Sequence, residues 1–393
     1  MKKTIIFVAS SGRNVGKTSI SIGLVHHFKK NGKKVAFMKP IAQHFIQSGN
    51  YKISRDVILM WKIYEFVDSE KLHLFSPFVI EQGFTKKFIK GEAKSPKDHI
   101  KKYFEAILQE YDVLIVEGTG HPGVGTCIGL SNAEVARMLE ATTLLILEGG
   151  IGNTIDNYAL AKGVFKNANW TIDGVIINKV MEEKYNEVDV TLKRFFRSED
   201  VYYLGAIPFV KELSVPSLRL IVDTLDAEVI YGENLLQGKA GNILLAINEP
   251  HIFLEEIEKT REDTLIITSG DREDILMSIL ALYPEFTPKI NAIILTSTRP
   301  HDKIVKLFEN KNIPIIFTSN PLFKTASIIS SITVKIDPYE KEKISTLQTL
   351  FDEYVDLSQL RKFTSLATRK IEKKTPLDKA RNLFRFILQL FRK

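Results

Sequence analysis

Apolar residues follow two rhythms along the chain. Short apolar runs occur at Thr4–Ala9, Val35–Met38, Asp112–Val116 and Thr143–Leu147, and again from Gly174 to Ile177. Between them, apolar positions recur three or four apart. Lys17–Lys30 does so through Ile20, Leu24 and Phe28, and residues 54–66, 97–110 and 155–166 behave alike. Apolar strands without polar alternation are covered on both faces, and intervening helices supply the crossovers that parallel strands need. The pattern predicts an α/β domain built on a parallel sheet. It pauses around residues 205–220, and Ile207-Pro208-Phe209 is read as the end of this domain. A second, smaller α/β unit follows, with strands near Ile243–Ile247, Thr264–Thr268, Ala292–Thr296 and Ile313–Phe317. Residues 338–365 are predicted to be helical and to pack back on that second unit. Thr368–Thr375 is a polar, basic linker, and Pro376 opens a last helix. The expected domains are therefore 1–212 and 213–365, followed by a helical tail at 366–393.

The 393 residues exceed one small core, in keeping with two or three domains. With 44% apolar and 26% charged residues, disordered and fibrous classes are excluded. No run approaches the roughly 18–20 apolar residues of a membrane span. The single cysteine, Cys127, cannot form an internal disulfide, which fits a cytoplasmic setting. It reads as a packed or loop residue rather than a nucleophile. Net charge is +7, but residues 361–393 hold eleven Lys/Arg against two acids, so the first 360 residues carry about −2. A basic tail on a near-neutral body does not suit nucleic acid. In that tail Ala380, Leu383, Phe384, Ile387, Leu388 and Phe391 share one helical face, with Lys379, Arg381, Arg385 and Arg392 mostly elsewhere. The stripe is expected to dock on this protein's own body or a second subunit; a membrane surface or an acidic partner is the alternative.

The chemistry begins where the first strand ends. Thr4–Ala9 runs into Ser10-Ser11-Gly12-Arg13-Asn14-Val15-Gly16-Lys17-Thr18-Ser19 and then a helix. Glycines let backbone amides turn around phosphate oxygens, and the helix N-terminus favours negative charge. Lys17 is placed to meet β/γ-phosphate oxygens and Thr18 to ligate Mg²⁺. Ser11 stands where the usual spacing has its first glycine. Glu117 ends a strand at the edge where such sheets bind ligands, and it precedes Gly118, Gly120, Gly123 and Gly125. It is the metal candidate of the glycine loop. Asp56 starts a helix, where an acid also suits the dipole. Lys39 ends the second strand, as a phosphate contact or a solvated strand-end residue. His121 lies in the glycine loop and is read as structural, with a substrate contact as the alternative. Gly270–Asp274 is read two ways: an effector-binding segment, or a structural one in which Asp271 caps the helix after Thr264–Thr268 and Glu273 and Asp274 favour its first turn.

Gly16-Lys17-Thr18, Lys39-Pro40, Glu117-Gly118 and Asn178-Lys179 occur in that order, and the chain so resembles dethiobiotin synthetase and its relatives. It is similar, more narrowly, to the N-terminal portion of long phosphate acetyltransferases. The phrases Lys39-Pro40-Ile41-Ala42-Gln43, Phe75-Ser76-Pro77-Phe78, Leu130-Ser131-Asn132-Ala133 and Gly174-Val175-Ile176-Ile177-Asn178-Lys179 carry that likeness. The second unit resembles the DRTGG domain through Asp226-Ala227-Glu228-Val229, Gly270-Asp271-Arg272-Glu273-Asp274 and Leu295-Thr296-Ser297-Thr298-Arg299-Pro300. The resemblance implies ATP as ligand, with Thr18, Asp56 and Glu117 on Mg²⁺ and Lys17 and Lys39 facing phosphates. It also implies Asn178, on the loop after the fifth strand, as the adenine contact. Gly118-Thr119-Gly120-His121-Pro122 departs from the dethiobiotin synthetase pattern, and the DRTGG pentad itself is absent.

Two functions follow as expectations. One is an ATP-dependent enzyme that activates a small-molecule carboxylate, using Lys17 and Lys39 on the transferring phosphoryl group. The other is a regulatory module that senses nucleotide and a metabolite effector. No acetyltransferase domain is expected within these residues, and a homodimer is the expected assembly.

Overall fold

Near-continuous apolar strands dictate a sheet covered on both faces. The computed structural model describes residues 3–260, 263–282, 290–309, 311–332 and 334–358. The amphipathic stretch 377–393 and its linker lie outside the described residues. The chain forms two compact units. One contains the described residues up to Phe209 and those from Ile336 onward; the other is Val210–Lys335.

Among the described residues the main sheet of the first unit has six strands: β1 (Thr4–Ser10), β2 (Val35–Met38), β3 (Val113–Glu117), β4 (Thr142–Glu148), β5 (Gly174–Val180) and β6 (Tyr202–Pro208). They pair in parallel in the order β6-β5-β4-β1-β3-β2. Every residue of β2 and β3 is buried, as are the last five of β1. Helices α1 (Lys17–Lys30), α2 (Arg55–Tyr64), α3 (Lys97–Leu108), α4 (Asn132–Met138), α5 (Ile151–Asn167) and α6 (Tyr185–Ser198) make the connections. From β1 the chain passes to β2 at one edge, steps back to β3, then crosses β1 to β4. The sheet thus reverses its direction of growth beside β1, and that is where doubly wound sheets open a crevice at their carboxyl ends.

Two features differ from the sequence expectation. Residues 207–209 close the first segment of this unit as expected, but Ile207 and Pro208 belong to a strand the sequence pattern did not show, β6, which is broken by register shifts and by Gly205 at φ +140°. A glycine and a terminal proline hide a strand whose Leu204, Ala206 and Ile207 are buried. The helix expected within 338–365 is Lys341–Tyr354, and it packs not on the second unit but on α1. Ile344, Leu347 and Phe351 line its buried face. Gly23 of α1 makes the recess, because a Cβ there would collide with the Phe351 ring. Lys30 Nζ reaches Asp352 at 2.7 Å, and Asp356 N donates to Leu204 O at 2.7 Å.

The second unit contains α7 (Leu218–Leu225), β7 (Glu228–Tyr231), β8 (Asn242–Leu245), α8 (Pro250–Lys259), β9 (Thr264–Ser269), α9 (Glu273–Ala281), β10 (Ile290–Thr296), α10 (Asp302–Lys306), β11 (Ile315–Thr318) and α11 (Leu322–Ser330). The returning helix Lys341–Tyr354 is α12. The sheet order is β7-β11-β10-β9-β8, with β7 antiparallel and the rest parallel. Alternate strand residues face opposite cores. Ile266, Ile293 and Leu295 pack with Phe253, Ile257, Ile275 and Phe308. Leu265, Ile267 and Ile294 pack with Leu218, Ile221, Leu225 and Ile329. Four consecutive strands step in one direction here, so this sheet has no reversal. Asp271 does not cap α9: the capping position is Arg272, without a side-chain cap bond, and Glu273 and Asp274 occupy the first turn.

Candidate functional site

The loop after β1 sits at the sheet reversal. Its backbone bends through two left-handed residues, Asn14 at φ +60° and Gly16 at φ +111°. For a non-glycine residue such as Asn14 that conformation costs roughly 1–2 kcal/mol. Ser11 N donates to Ile146 O at 3.0 Å, tying the loop to β4. Val15 is buried beneath the loop, whereas Arg13 and Asn14 are exposed and Gly12, Thr18 and Ser19 are half-buried. Gly16 takes the capping position of α1, whose first turn holds no acid. The positive end of this helix is therefore not neutralised by its own first turn.

Lys17 lies at the centre. Its Nζ donates to Ser10 Oγ at 2.7 Å, Gly12 O at 3.1 Å and Gly120 O at 3.1 Å. These are uncharged oxygens around a buried ammonium. Burial lowers its pKa to about 8; Lys39 and Arg13 push the same way, while Glu117 and Asp56 resist. An anion delivered here would relieve that penalty.

Beside it stands a charged cluster. Glu117 ends β3 at 1% exposure. Its Oε1 accepts from Thr18 Oγ1 at 3.3 Å and Lys39 Nζ at 2.7 Å, and its Oε2 accepts from Ser21 Oγ at 3.0 Å. Lys39 Nζ also meets Asp56 Oδ2 at 3.0 Å and Gly118 O at 2.8 Å. Asp56 is placed by α2, whose cap Ser54 accepts from Asp56 N. Burial works against the Lys39 charge, yet Glu117 and Asp56 outweigh it and raise its pKa to about 12. The structure thus brings Lys17, Thr18, Lys39, Asp56 and Glu117 together, with Lys39 seated between the two acids.

A divalent cation fits this donor set. Mg²⁺ favours hard oxygens and keeps open positions for water and phosphate, so one or two carboxylates and a hydroxyl suffice. Among the described residues no cluster of three His, Cys, Asp or Glu could hold a metal by itself. Thr18, Asp56 and Glu117 match the sparser arrangement, and the two acids already hold one cation, the Lys39 ammonium.

Asn178 is placed differently from the expectation. It lies within β5, not on a loop, because pairing with β4 continues through Glu148 and Asn178. Its Nδ2 donates to Val15 O at 2.8 Å. A Cβ on Gly16 would collide with that same nitrogen, so this position has no room for a side chain. His121 serves its own turn, its Nδ1 accepting from Gly123 N at 3.2 Å. The glycine loop after Glu117 is held by a residue the sequence did not single out for the site. Asn132, buried, accepts from Thr119 N at 2.9 Å and donates to the carbonyls of Thr119 and His121. Ser10 and Ser21 were likewise missed, since only folding brings them to Lys17 and Glu117. Cys127 is exposed on a single helical turn and touches none of this chemistry.

Residues 4–217 match the family model described as AAA domain, and residues 220–332 the model described as DRTGG domain. The phosphate acetyltransferase of Synechocystis sp. is 25% identical over 371 residues, covering 90% of this chain and 51% of that protein. The phosphate acetyltransferase of Nitratidesulfovibrio vulgaris is 24% identical over 403 residues, covering 98% and 56%. The chain spans about half the length of the curated relatives it matches. Among solved structures, the MinD cell division protein of Aquifex aeolicus matches 53% of this chain and 84% of its own, at 15% identity and a TM-score of 0.34. The MinD protein of Pyrococcus horikoshii, complexed with Mg-ADP, matches 54% and 83%, at 16% identity and a TM-score of 0.30.

Proposed function

The chain belongs to the AAA domain family over residues 4–217, with a DRTGG domain at 220–332, and from that premise we propose that it binds Mg-ATP on Ser11–Thr18 and activates a small-molecule carboxylate. The observation that carries the reading is the buried Lys17 ammonium, ringed by neutral oxygens at the N-terminus of α1. An ammonium in that setting gains most from a polyanion.

Thr18, Asp56 and Glu117 are the residues to hold Mg²⁺. A Mg²⁺ held by them would supply charge neutralisation for the phosphates. Lys17 binds the β- and γ-phosphates. Lys39 turns from the two acids to the transferring phosphoryl group. An acceptor carboxylate oxygen attacks the γ-phosphorus, the bond from that phosphorus to the bridging oxygen breaks, and ADP leaves with the bonding pair. The products are ADP and an acyl phosphate. A carboxylate is ionised at neutral pH, so no general base is required. His121 is in keeping with this, being occupied in its own turn.

A second reading draws on Lys39. Held by Glu117 and Asp56, it resembles a latch that nucleotide would release, which suits a regulatory module. Relatives named phosphate acetyltransferase, of which the chain covers about half, agree with that reading too. ADP release measured with and without candidate carboxylates, with Lys17→Ala as control, separates the two. Acceptor-dependent release supports the enzyme; tight Mg-ATP binding with no release across a carboxylate panel supports the module. No helix among the described residues is long and apolar enough to cross a membrane.

A further inference from the structure

Two consecutive side chains of β5 grip the phosphate loop. Asn178 Nδ2 donates to Val15 O at 2.8 Å, and Lys179 Nζ donates to Asn14 O at 2.6 Å. Successive residues of a regular strand point to opposite faces, so a regular strand would not deliver both. Lys179 departs from the rule because its φ is +58°. Asn14, at the other end of that bond, is left-handed as well. Glu148 of β4 pairs in register with Asn178 and holds the Lys179 ammonium at 3.1 Å. Left-handed residues other than glycine persist where the surroundings over-determine them, and they gather at ligand clamps.

We propose that Asn178 and Lys179 are positioning residues that set the phosphate loop before the anion arrives. In a trans peptide the carbonyl and the following N–H point in opposite directions. Drawing the carbonyls of Asn14 and Val15 towards β5 turns the N–H groups of Val15 and Gly16 the other way, ready for phosphate oxygens. Asn178 then acts on the loop, not on the base. The proposal rests on the nucleotide reading above, since a loop that binds no phosphate needs no such brace.

The test compares ATP with inorganic tripolyphosphate, which has the phosphates and no base. Binding of both is titrated in the presence of Mg²⁺ to the full chain and to Lys179→Ala, Lys179→Arg and Asn178→Ala. The expected result is a loss of about tenfold for both ligands in Lys179→Ala and Asn178→Ala, with Lys179→Arg close to wild type. ATP weakened with tripolyphosphate unchanged would overturn the proposal in favour of a base contact. Equal affinity in all variants would overturn it outright. If Lys179→Ala melts early, Glu148→Gln carries the test, since it loosens Lys179 without touching the loop. It should weaken both ligands about twofold, and no change would count against the clamp. Failure of the wild-type chain to bind either ligand would sink the nucleotide reading itself, and this proposal with it.

Discussion

The carboxyl ends of the two sheets use charge in opposite ways. In the first unit Lys17, Lys39 and Glu117 are all buried, with Asp56 half-buried beside them. In the second the charges are on the surface and neutralise one another. Arg299 pairs with Glu228, and Arg272 with Asp274, holding each acid below the usual carboxylate range. Arg272 also donates to the carbonyls of Ile247 and Asn248. Among the described residues the buried polar groups there are threonines such as Thr268, which donates to Ala246 O just past β8, and Thr296, which donates to Thr268 O of β9. Strand order accounts for the contrast. A sheet that reverses beside β1 opens a crevice there, whereas four strands stepping one way do not. On the proposed reading, charge buried at such a reversal serves a ligand, whereas charge paired on a surface holds loops together.

The largest expected effect tests the buried side of this contrast. Lys39→Met leaves Glu117 and Asp56 facing each other without their cation, and breaking a buried pair costs about 3–5 kcal/mol. Urea denaturation should show that loss, and Mn²⁺ should recover part of it. Electron paramagnetic resonance should then detect Mn²⁺ bound to the nucleotide-free variant. A variant as stable as wild type would mean that the two edges do not differ as described.

Next in size is a pH effect on Lys17. Its pKa of about 8 lies below the unfolded value, so the free fold carries a penalty below pH 8 that fades as pH rises towards 10.5. A bound phosphate favours the charged form and raises that pKa. Nucleotide affinity should therefore fall about tenfold between pH 7 and 9, with proton uptake on binding near pH 8. Calorimetry in buffers of different ionisation enthalpy reads the uptake; none would contradict the role given to this ammonium.

The smallest effect is expected in the second unit. Arg299→Ala removes an exposed ion pair with Glu228 and should leave nucleotide affinity unchanged and the melting temperature close to that of wild type. A marked loss of affinity would blur the line between the two edges.

The same contrast explains what the sequence reveals. β1, its loop and α1 are contiguous, so strand, glycines, Gly16-Lys17-Thr18 and helix are legible together. Glu117 is legible as a strand-end acid. Asp56 is not, because an acid in a helix's first turn has a local explanation; the family resemblance supplied it. Asn178 was misplaced because the apolar run stops at Ile177, whereas backbone pairing continues. Ser21, Asn132 and Lys179 act through bonds to residues between 13 and 165 positions away, and no local signal marks them. The stripe of α12 shows that a face must be covered but does not name α1 as its cover.

The central claim is that the buried Lys17 ammonium makes the loop a phosphate site. Calorimetric titration of Mg-ATP into the full chain and into Lys17→Ala tests it most directly. Saturable binding to the wild type, lost or weakened at least about tenfold in a variant that still melts cooperatively, is the predicted result. Equal affinity in the two proteins would contradict it.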